Sequence, residues 1–321
     1  MKCKAALIAL LGAVGFTTAV MAQTYPERPV KLIVPYAPGG SADITARMIS
    51  EDWGKALGQS MIVENRAGAG GNAGVDAVAK SKPDGYTIGI HTLSLAVNPA
   101  LYPKMPFDTL KDLAPIGMVA SSQHVLVVNP KLPAQNLKEL LALLKQNPGK
   151  LTYGSAGNGS TMHIAPELFK ATSGTFITHI PYRGGGPALT DTAGGQVDMS
   201  FPVASAAAQF VQSGMLKGIG VTGTKRSPLM PNVPTLSEAG LPAYSFDTWF
   251  IVFAPAGTSP AVIDRLNATL NTALSNATLK ARMTKEGFDP IPSTPAQARQ
   301  RLEKEIPLWA KLMKERGITA D

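Results

Sequence analysis

One passage recurs along this chain and limits what it can fold into: an apolar run, a glycine-rich turn, then apolar residues at helical spacing. The stretch "VPYAPGGSAD", Val34 to Asp43, is the first example. Val30 to Val34 before it reads as a strand. Ile44, Met48, Ile49, Trp53 and Leu57 after it read as one face of a helix. "YGSAGNGSTMH", Tyr153 to His163, repeats the passage, with Gly154, Gly157 and Gly159 between a strand pattern and a helix pattern. Strand patterns fall at Val30–Pro35, Met61–Glu64, Tyr86–His91, Val125–Val128, Leu151–Gly154, Phe176–Ile180, Met199–Phe201 and Gly218–Val221. Helix patterns fall between them at Ser41–Leu57, Ala69–Lys80, Leu137–Gln146, Thr161–Thr172, Gly186–Gly194 and Ala204–Ser213. Such alternation specifies an α/β fold with mainly parallel sheets. The last third is mostly helical, at Pro260–Ser275 and Ala296–Arg316, after an apolar strand pattern in "FDTWFIVFAP".

The first residues belong to targeting rather than to the fold. Lys2 and Lys4 precede the apolar stretch Ala5 to Phe16, and Val20-Met21-Ala22 has the small-residue spacing of a cleavage site. Residues 1–22 are therefore expected to be an export signal cut after Ala22. The single cysteine, Cys3, lies within it. The remaining chain thus has no disulfide, thiolate metal site or thiol nucleophile. The net charge is +8, and its basic residues are scattered without interleaved aromatics. That argues for mild attraction of anions and against nucleic acid as a partner.

Residues 23–321 are long for one core, which suggests two domains. "DLAPIGMVASSQHVLVV", Asp112 to Val128, lacks a helix and reads as a strand that crosses between them. "GIGVTGT", Gly218 to Thr224, reads as the return. These crossings divide the chain into 23–121 plus 232–321 and 122–231, with a ligand cleft where the carboxyl ends of strands meet.

"PYAPGGSAD" is followed by no Gly-Lys-Ser/Thr and lacks the three-glycine dinucleotide pattern, so neither phosphate-loop reading fits it. It does offer a helix N-terminus, with unpaired N–H groups at Gly40, Ser41, Ala42 and Asp43, and such an end attracts an anion. A plain strand–turn–helix connection with Ser41 as cap is the competing reading. The second loop adds the hydroxyls of Ser155, Ser160 and Thr161. Two such loops facing one another would hold a small anion without an arginine clamp.

A secreted hydrolase is the alternative. The histidines are His91, His124, His163 and His179, but "GNGST" is not a nucleophile elbow, and no cluster of His and carboxylates marks a metal site. No cofactor is expected.

The segments "YPERPVKLIVPYAPGGSADITAR", "VENRAGAGGNAGVDAVAKSKPDGYTI", "YGSAGNGSTMHIAPELF", "PYRGGGPALTDTAGGQVDMSF", "GIGVTGTKRSPLMPNVPTLSEAG" and "WFIVFAPAGTSPAVIDRLN" resemble, in order and over nearly the whole chain, the Bug-type periplasmic solute receptors of tripartite tricarboxylate transporters. The resemblance implies a two-domain periplasmic binding protein, type II-like, that closes around a small carboxylate. It implies a periplasmic monomer whose partner is a membrane permease of that system, with sensing as another role. It also implies that the ligand's carboxylates are held by Gly39–Asp43 and Ser155–Thr161, partly through ordered water. Pro166 departs from the family pattern, where a small residue is usual. It fits if the helix begins close to Ala165.

The expected ligand contacts are thus Tyr36, Gly39, Gly40, Ser41, Ala42 and Asp43 on the first loop, and Ser155, Ala156, Gly157, Ser160, Thr161 and Met162 on the second. His91 at a strand end, Tyr182, Asp198, Phe201 and Trp249 complete the set. His91 would offer charge or one hydrogen bond, or else serve only its own domain. Met162 and Phe201 would form an apolar wall, and Trp249 is placed on the cleft side of its strand by alternation. Asp198 would orient backbone, because a carboxylate repels an anionic ligand, and Arg183 is expected to be solvated. A dicarboxylate or aromatic acid is favoured over an amino acid, because the walls hold little charge for a free amine.

Overall fold

The computed structural model describes residues 25–102 and 104–319. The expected export signal lies outside them.

Two sheets organise the chain. The first is built from β1 (Val30–Val34), β2 (Met61–Asn65), β3 (Thr87–Thr92), β4 (Leu113–Gln123), β10 (Asp247–Pro255) and β11 (Asp289–Pro290). The second holds β5 (Val125–Val128), β6 (Thr152–Ser155), β7 (Thr178–Pro181), β8 (Met199–Ser200) and β9 (Lys217–Val221). The first has the order β11-β4-β10-β3-β1-β2 and the second β7-β6-β8-β5-β9. The chain passes from one sheet to the other between Gln123 and Val125 and returns between Val221 and Asp247. After β9, Val233 and Leu236 still pack beneath the second sheet, against Gly218 and Gly220.

The sheets are mixed rather than mainly parallel. β1 runs parallel to β2 and β3, and β6 parallel to β7 and β8, but β10 is antiparallel to β3 and β4, and β5 is antiparallel to β8 and β9. The reversed strands β5 and β10 are those reached from the other sheet; β11, also antiparallel to β4, follows β10 in the same sense after two helices. β5 and β10 are not fed by a helical crossover within their own sheet, which is what forces the parallel sense.

Helices follow where the pattern is amphipathic and the ends are marked. They are α1 (Ser41–Leu57), α2 (Asn72–Ala79), α3 (Ser94–Leu101), α4 (Leu137–Gln146), α5 (Thr161–Ser173), α6 (Gly185–Gly194), α7 (Ala204–Gln212), α8 (Pro260–Ser275), α9 (Ala277–Lys285) and α10 (Pro295–Arg316). α1 stops at Gly58, which takes the left-handed conformation that glycine adopts without strain. α10 opens with a Thr294/Gln297 capping box and Pro295 in its first turn. The helix expected over Ala69–Lys80 is a 3-10 turn, Ala69–Gly71, followed by α2; Gly70 at φ 61° breaks the run. Helix α5 begins at Thr161, ahead of the start near Ala165 that would suit Pro166 best. Pro166 therefore lies inside the helix and supplies no N–H to the carbonyl one turn back.

Trp53 shows how the first half is locked. It is fully buried between α1 and α8, and its indole N–H donates to Thr269 Oγ1 at 3.1 Å. Among the described residues no helix is long and apolar enough to cross a membrane.

Candidate functional site

Three helices begin at one place. Gly40 precedes α1, Ser160 precedes α5 and Gly184 precedes α6, and none of these ends has a side-chain cap. The amides of a helix's first turn have no intrahelical acceptor, so each end carries partial positive charge. All three first turns line one cavity, through Gly40 and Ser41, through Ser160, Thr161 and Met162, and through Gly185. Tyr36, Thr92 and Ala156 complete the wall. The space that a water-sized sphere can occupy in this cavity is about 20 Å³, room for roughly one water. None of these lining residues has a charged side chain.

Glycine lets the loops of the two sheets approach this closely. A Cβ on Gly184 would lie 2.9 Å from the Ala37 nitrogen, and one on Gly186 would lie 2.7 Å from the Pro38 carbonyl oxygen. The Ala37 N–H donates to the Arg183 carbonyl at 3.2 Å, a main-chain bond from one half to the other. Arg183 itself is exposed. Together with Gly157 and Tyr182 it lines a neighbouring opening that shares Ala156 with the cavity.

The polar atoms of the wall differ in how they are engaged. Ser160 Oγ is buried and makes no hydrogen bond. Thr161 Oγ1 lies 3.0 Å from His124 Nε2. Tyr36 donates its hydroxyl to the Gly70 carbonyl at 3.1 Å, and burial raises its pKa to about 12.

Of the expected contacts, Tyr36, Gly40, Ser41, Ala156, Ser160, Thr161 and Met162 line the cavity. The others are placed elsewhere, each for a visible reason. Asp43 turns away: its carboxylate takes the Gly39 N–H at 3.1 Å, Arg47 Nε at 3.0 Å and Asn65 Nδ2 at 2.9 Å. Burial pushes its carboxyl upward, but these donors outweigh burial and hold it below the usual range. The Gly39 amide is thereby spent within its own loop, and the Ala42 side chain is buried in the core beside α1. Ser155 Oγ is 2.6 Å from His179 Nε2 and accepts the Gly157 N–H, so this serine–histidine pair serves the loop and does not line the cavity. Tyr182 donates to Asp191 at 2.8 Å.

His91 lies behind the wall, fully buried and edge-on to Tyr36. Its Nδ1 lies 2.8 Å from the Thr92 nitrogen and 3.2 Å from the Thr92 carbonyl oxygen, and desolvation lowers its pKa to about 4, so it offers a ligand no charge near neutrality. Asp198 sits at the opposite end of β6 from the loop, where it holds the N–H of Thr152 at 2.7 Å. Phe201 belongs to the core, with its ring 5.5 Å from that of Phe169. Trp249 faces α10 rather than the cleft: its indole donates to Glu305 at 2.8 Å and Arg301 stacks over it.

Two lining residues were not among the expected contacts. Thr92 follows His91 at the end of β3, so the cavity takes the residue next to the one expected from that strand end. Gly185 belongs to "YRGGGP", whose glycine run before a helix is the same signal that marked the other two loops.

Two α/β sheets joined by crossing segments, closed over a cavity fed by helix N-termini from both, define a solute-binding protein of the flytrap class. The chain belongs to the tripartite tricarboxylate transporter receptor family, whose model matches residues 45–318. It is 40% identical over 317 residues to protein BugT of Bordetella pertussis (strain Tohama I), covering 97% of each chain. Among solved structures it is similar to the periplasmic binding protein BugD, at 33% identity and a TM-score of 0.89, over 92% of this chain and 99% of that one. It resembles Rpa4515 of R. palustris with adipate at 34% identity and a TM-score of 0.88, over 92% and 99% of the two chains. For MatC of Rhodopseudomonas palustris with bound malate the identity is 31% and the TM-score 0.85, over 90% and 99%.

Proposed function

We propose that this protein is a periplasmic receptor for a small organic carboxylate, held between its two sheets. The observation that carries the proposal is the convergence of three uncapped helix N-termini on a cavity lined by no charged side chain. Such a wall stabilises negative charge and nothing else of comparable strength. The relatives seen with adipate and with malate support the same class. The ligand class is a dicarboxylate, tricarboxylate or aromatic acid, with the carboxylate on the loops around Gly40 and Ser160; the loops part to admit it, because the cavity as it stands has room for about one water.

The two lobes of this reading follow the sheets. They correspond to 23–121 plus 232–321 and to 122–231, with the stretch through Leu236 that packs on β9 going with the second. Ligand stabilises the closed arrangement through contacts that exist only there. Export by the signal at 1–22, action as a monomer, and delivery to a membrane permease of the tripartite type or use in sensing complete the proposal. Catalysis forms no part of it: Ser160 Oγ makes no hydrogen bond to a base, and Ser155, which has His179, is buried within its loop.

The test is a thermal-shift screen of the chain from Gln23 against a panel of carboxylates, because a ligand that binds the native state raises the melting temperature. A shift with one acid that is lost in the Ser160→Ala/Thr161→Ala double variant supports the reading. No shift with any acid, in folded protein free of co-purified ligand, overturns it.

A further inference from the structure

His124 stands where the chain leaves the first sheet for the second, between Gln123 of β4 and Val125 of β5. Its main chain is fixed to the return crossing. The His124 N–H donates to Thr222 Oγ1 at 2.8 Å, and its carbonyl accepts the Thr222 N–H at 2.9 Å. The ring packs edge-on against Phe246 at 5.2 Å. It is fully buried, and its two nitrogens have different surroundings: Nε2 faces Thr161 Oγ1 at 3.0 Å, and Nδ1 makes no hydrogen bond.

That difference decides where the proton resides. A neutral imidazole has one N–H and one acceptor nitrogen. With the proton on Nδ1, a buried donor would be left without an acceptor, which folded proteins rarely tolerate. With the proton on Nε2, every donor of the ring is used and a lone pair alone goes unpaired. Burial keeps the ring neutral, with a pKa lowered to about 3.

We propose that His124 is a positioning residue: it donates from Nε2 to Thr161 Oγ1, so the Thr161 hydroxyl directs its own proton into the cavity toward the ligand's carboxylate. The inference rests on the carboxylate reading and deepens it. A hydroxyl whose lone pair is already engaged presents hydrogen, which suits an ionised acid. The opposite tautomer would consume that hydrogen and turn lone pairs toward an anion. The unpartnered Ser160 hydroxyl, one residue away, is free to present its proton to the same ligand.

Long-range proton–nitrogen NMR of the chain from Gln23, labelled at histidine nitrogen, tests the proposal without any ligand. His124 is assigned through its contact with Phe246. A pyrrole-like Nε2 and a pyridine-like Nδ1 are expected; the reverse pattern or a mixture of the two overturns the proposal. A binding arm uses the acid selected by the thermal-shift panel. His124→Gln, which keeps an N–H donor, is expected to retain affinity within about threefold, and His124→Leu and Thr161→Val each to lose about tenfold. Wild-type affinity in folded His124→Leu overturns the coupling. If His124→Leu does not fold, the tautomer pattern of the unaltered protein decides. If no acid binds the unaltered protein, the carboxylate reading fails, and the tautomer pattern still shows where His124 keeps its proton.

Discussion

The hydroxyl of Tyr102 donates to the main-chain carbonyl of Asn158 at 2.5 Å, which ties the end of α3 to the loop before α5 and so one sheet to the other. Gly70 lies against the same carbonyl: a Cβ built on Gly70 would run into Asn158 O, and one on Gly159 into the Asn98 side chain. Closure on this side therefore depends on two glycines and one tyrosine, none of which lines the cavity between the helix N-termini.

Gly70→Ala is accordingly expected to hold the two halves apart. Ligand affinity should fall by about tenfold or more, and small-angle scattering should give a larger radius of gyration with ligand present than the unaltered protein shows. Tyr102→Phe should cost a few-fold at most, because one hydrogen bond contributes about 0.5–1.5 kcal/mol net. Unchanged affinity and radius in Gly70→Ala would contradict this account of closure.

Asp43 supports the first loop from behind. Its loss releases the Gly39 amide, Arg47 and Asn65 together. Hydrogen bonds to a charged group contribute about 1.5–3 kcal/mol, so Asp43→Ala should lower stability to chemical denaturation by roughly that amount. It should also weaken carboxylate binding although Asp43 does not line the cavity. Titration calorimetry and urea unfolding of the same variant separate the two effects.

Acid should unfold this protein from an unusually high pH. His91 and His124 titrate in the folded state at about 4 and about 3, whereas an unfolded histidine titrates near 6.5. Between these values the unfolded chain binds more protons, so stability falls as pH falls. Each histidine should remove roughly 2 kcal/mol by pH 5. Asp43, held below the usual carboxylate range, adds a loss at still lower pH. Melting temperatures measured from pH 7 to pH 4 should decline throughout, and a His91→Gln variant should decline less steeply below pH 6.5.

Trp249 provides a negative control for the cleft. Trp249→Phe removes the bond to Glu305 and weakens the stack under Arg301. It should lower the melting temperature by a few degrees, in line with about 1 kcal/mol for a chain of this size. Carboxylate affinity should stay within twofold by calorimetry.

The sequence was legible where local rules and tertiary demands agree. Helices α1, α4 and α8 start and stop at the residues their periodicity, caps and Pro260 indicate. The two glycine loops were found for a related reason: a strand that ends in glycine before a helix leaves a local trace. Helix α3 was not found, because Pro99 lies inside it and six of its eight residues are buried, which erases any polar face. Trp249 was placed on the wrong side because β10 is buried on both faces, and alternation then carries no direction. Asp198 was drawn to the cleft because nothing local tells at which end of β8 the loops lie. The reversed sense of β5 and β10 is likewise a property of the crossings between sheets, which short-range pattern does not encode.

The central claim is that uncapped helix N-termini and free hydroxyls, with no charged side chain, bind an ionised carboxylate. The most direct measurement is calorimetric titration of the chain from Gln23 with the acid found by thermal shift and with its primary amide, which has nearly the same shape and no charge. The account predicts binding of the acid and at least a hundredfold weaker binding of the amide. Equal affinity for the two would contradict it.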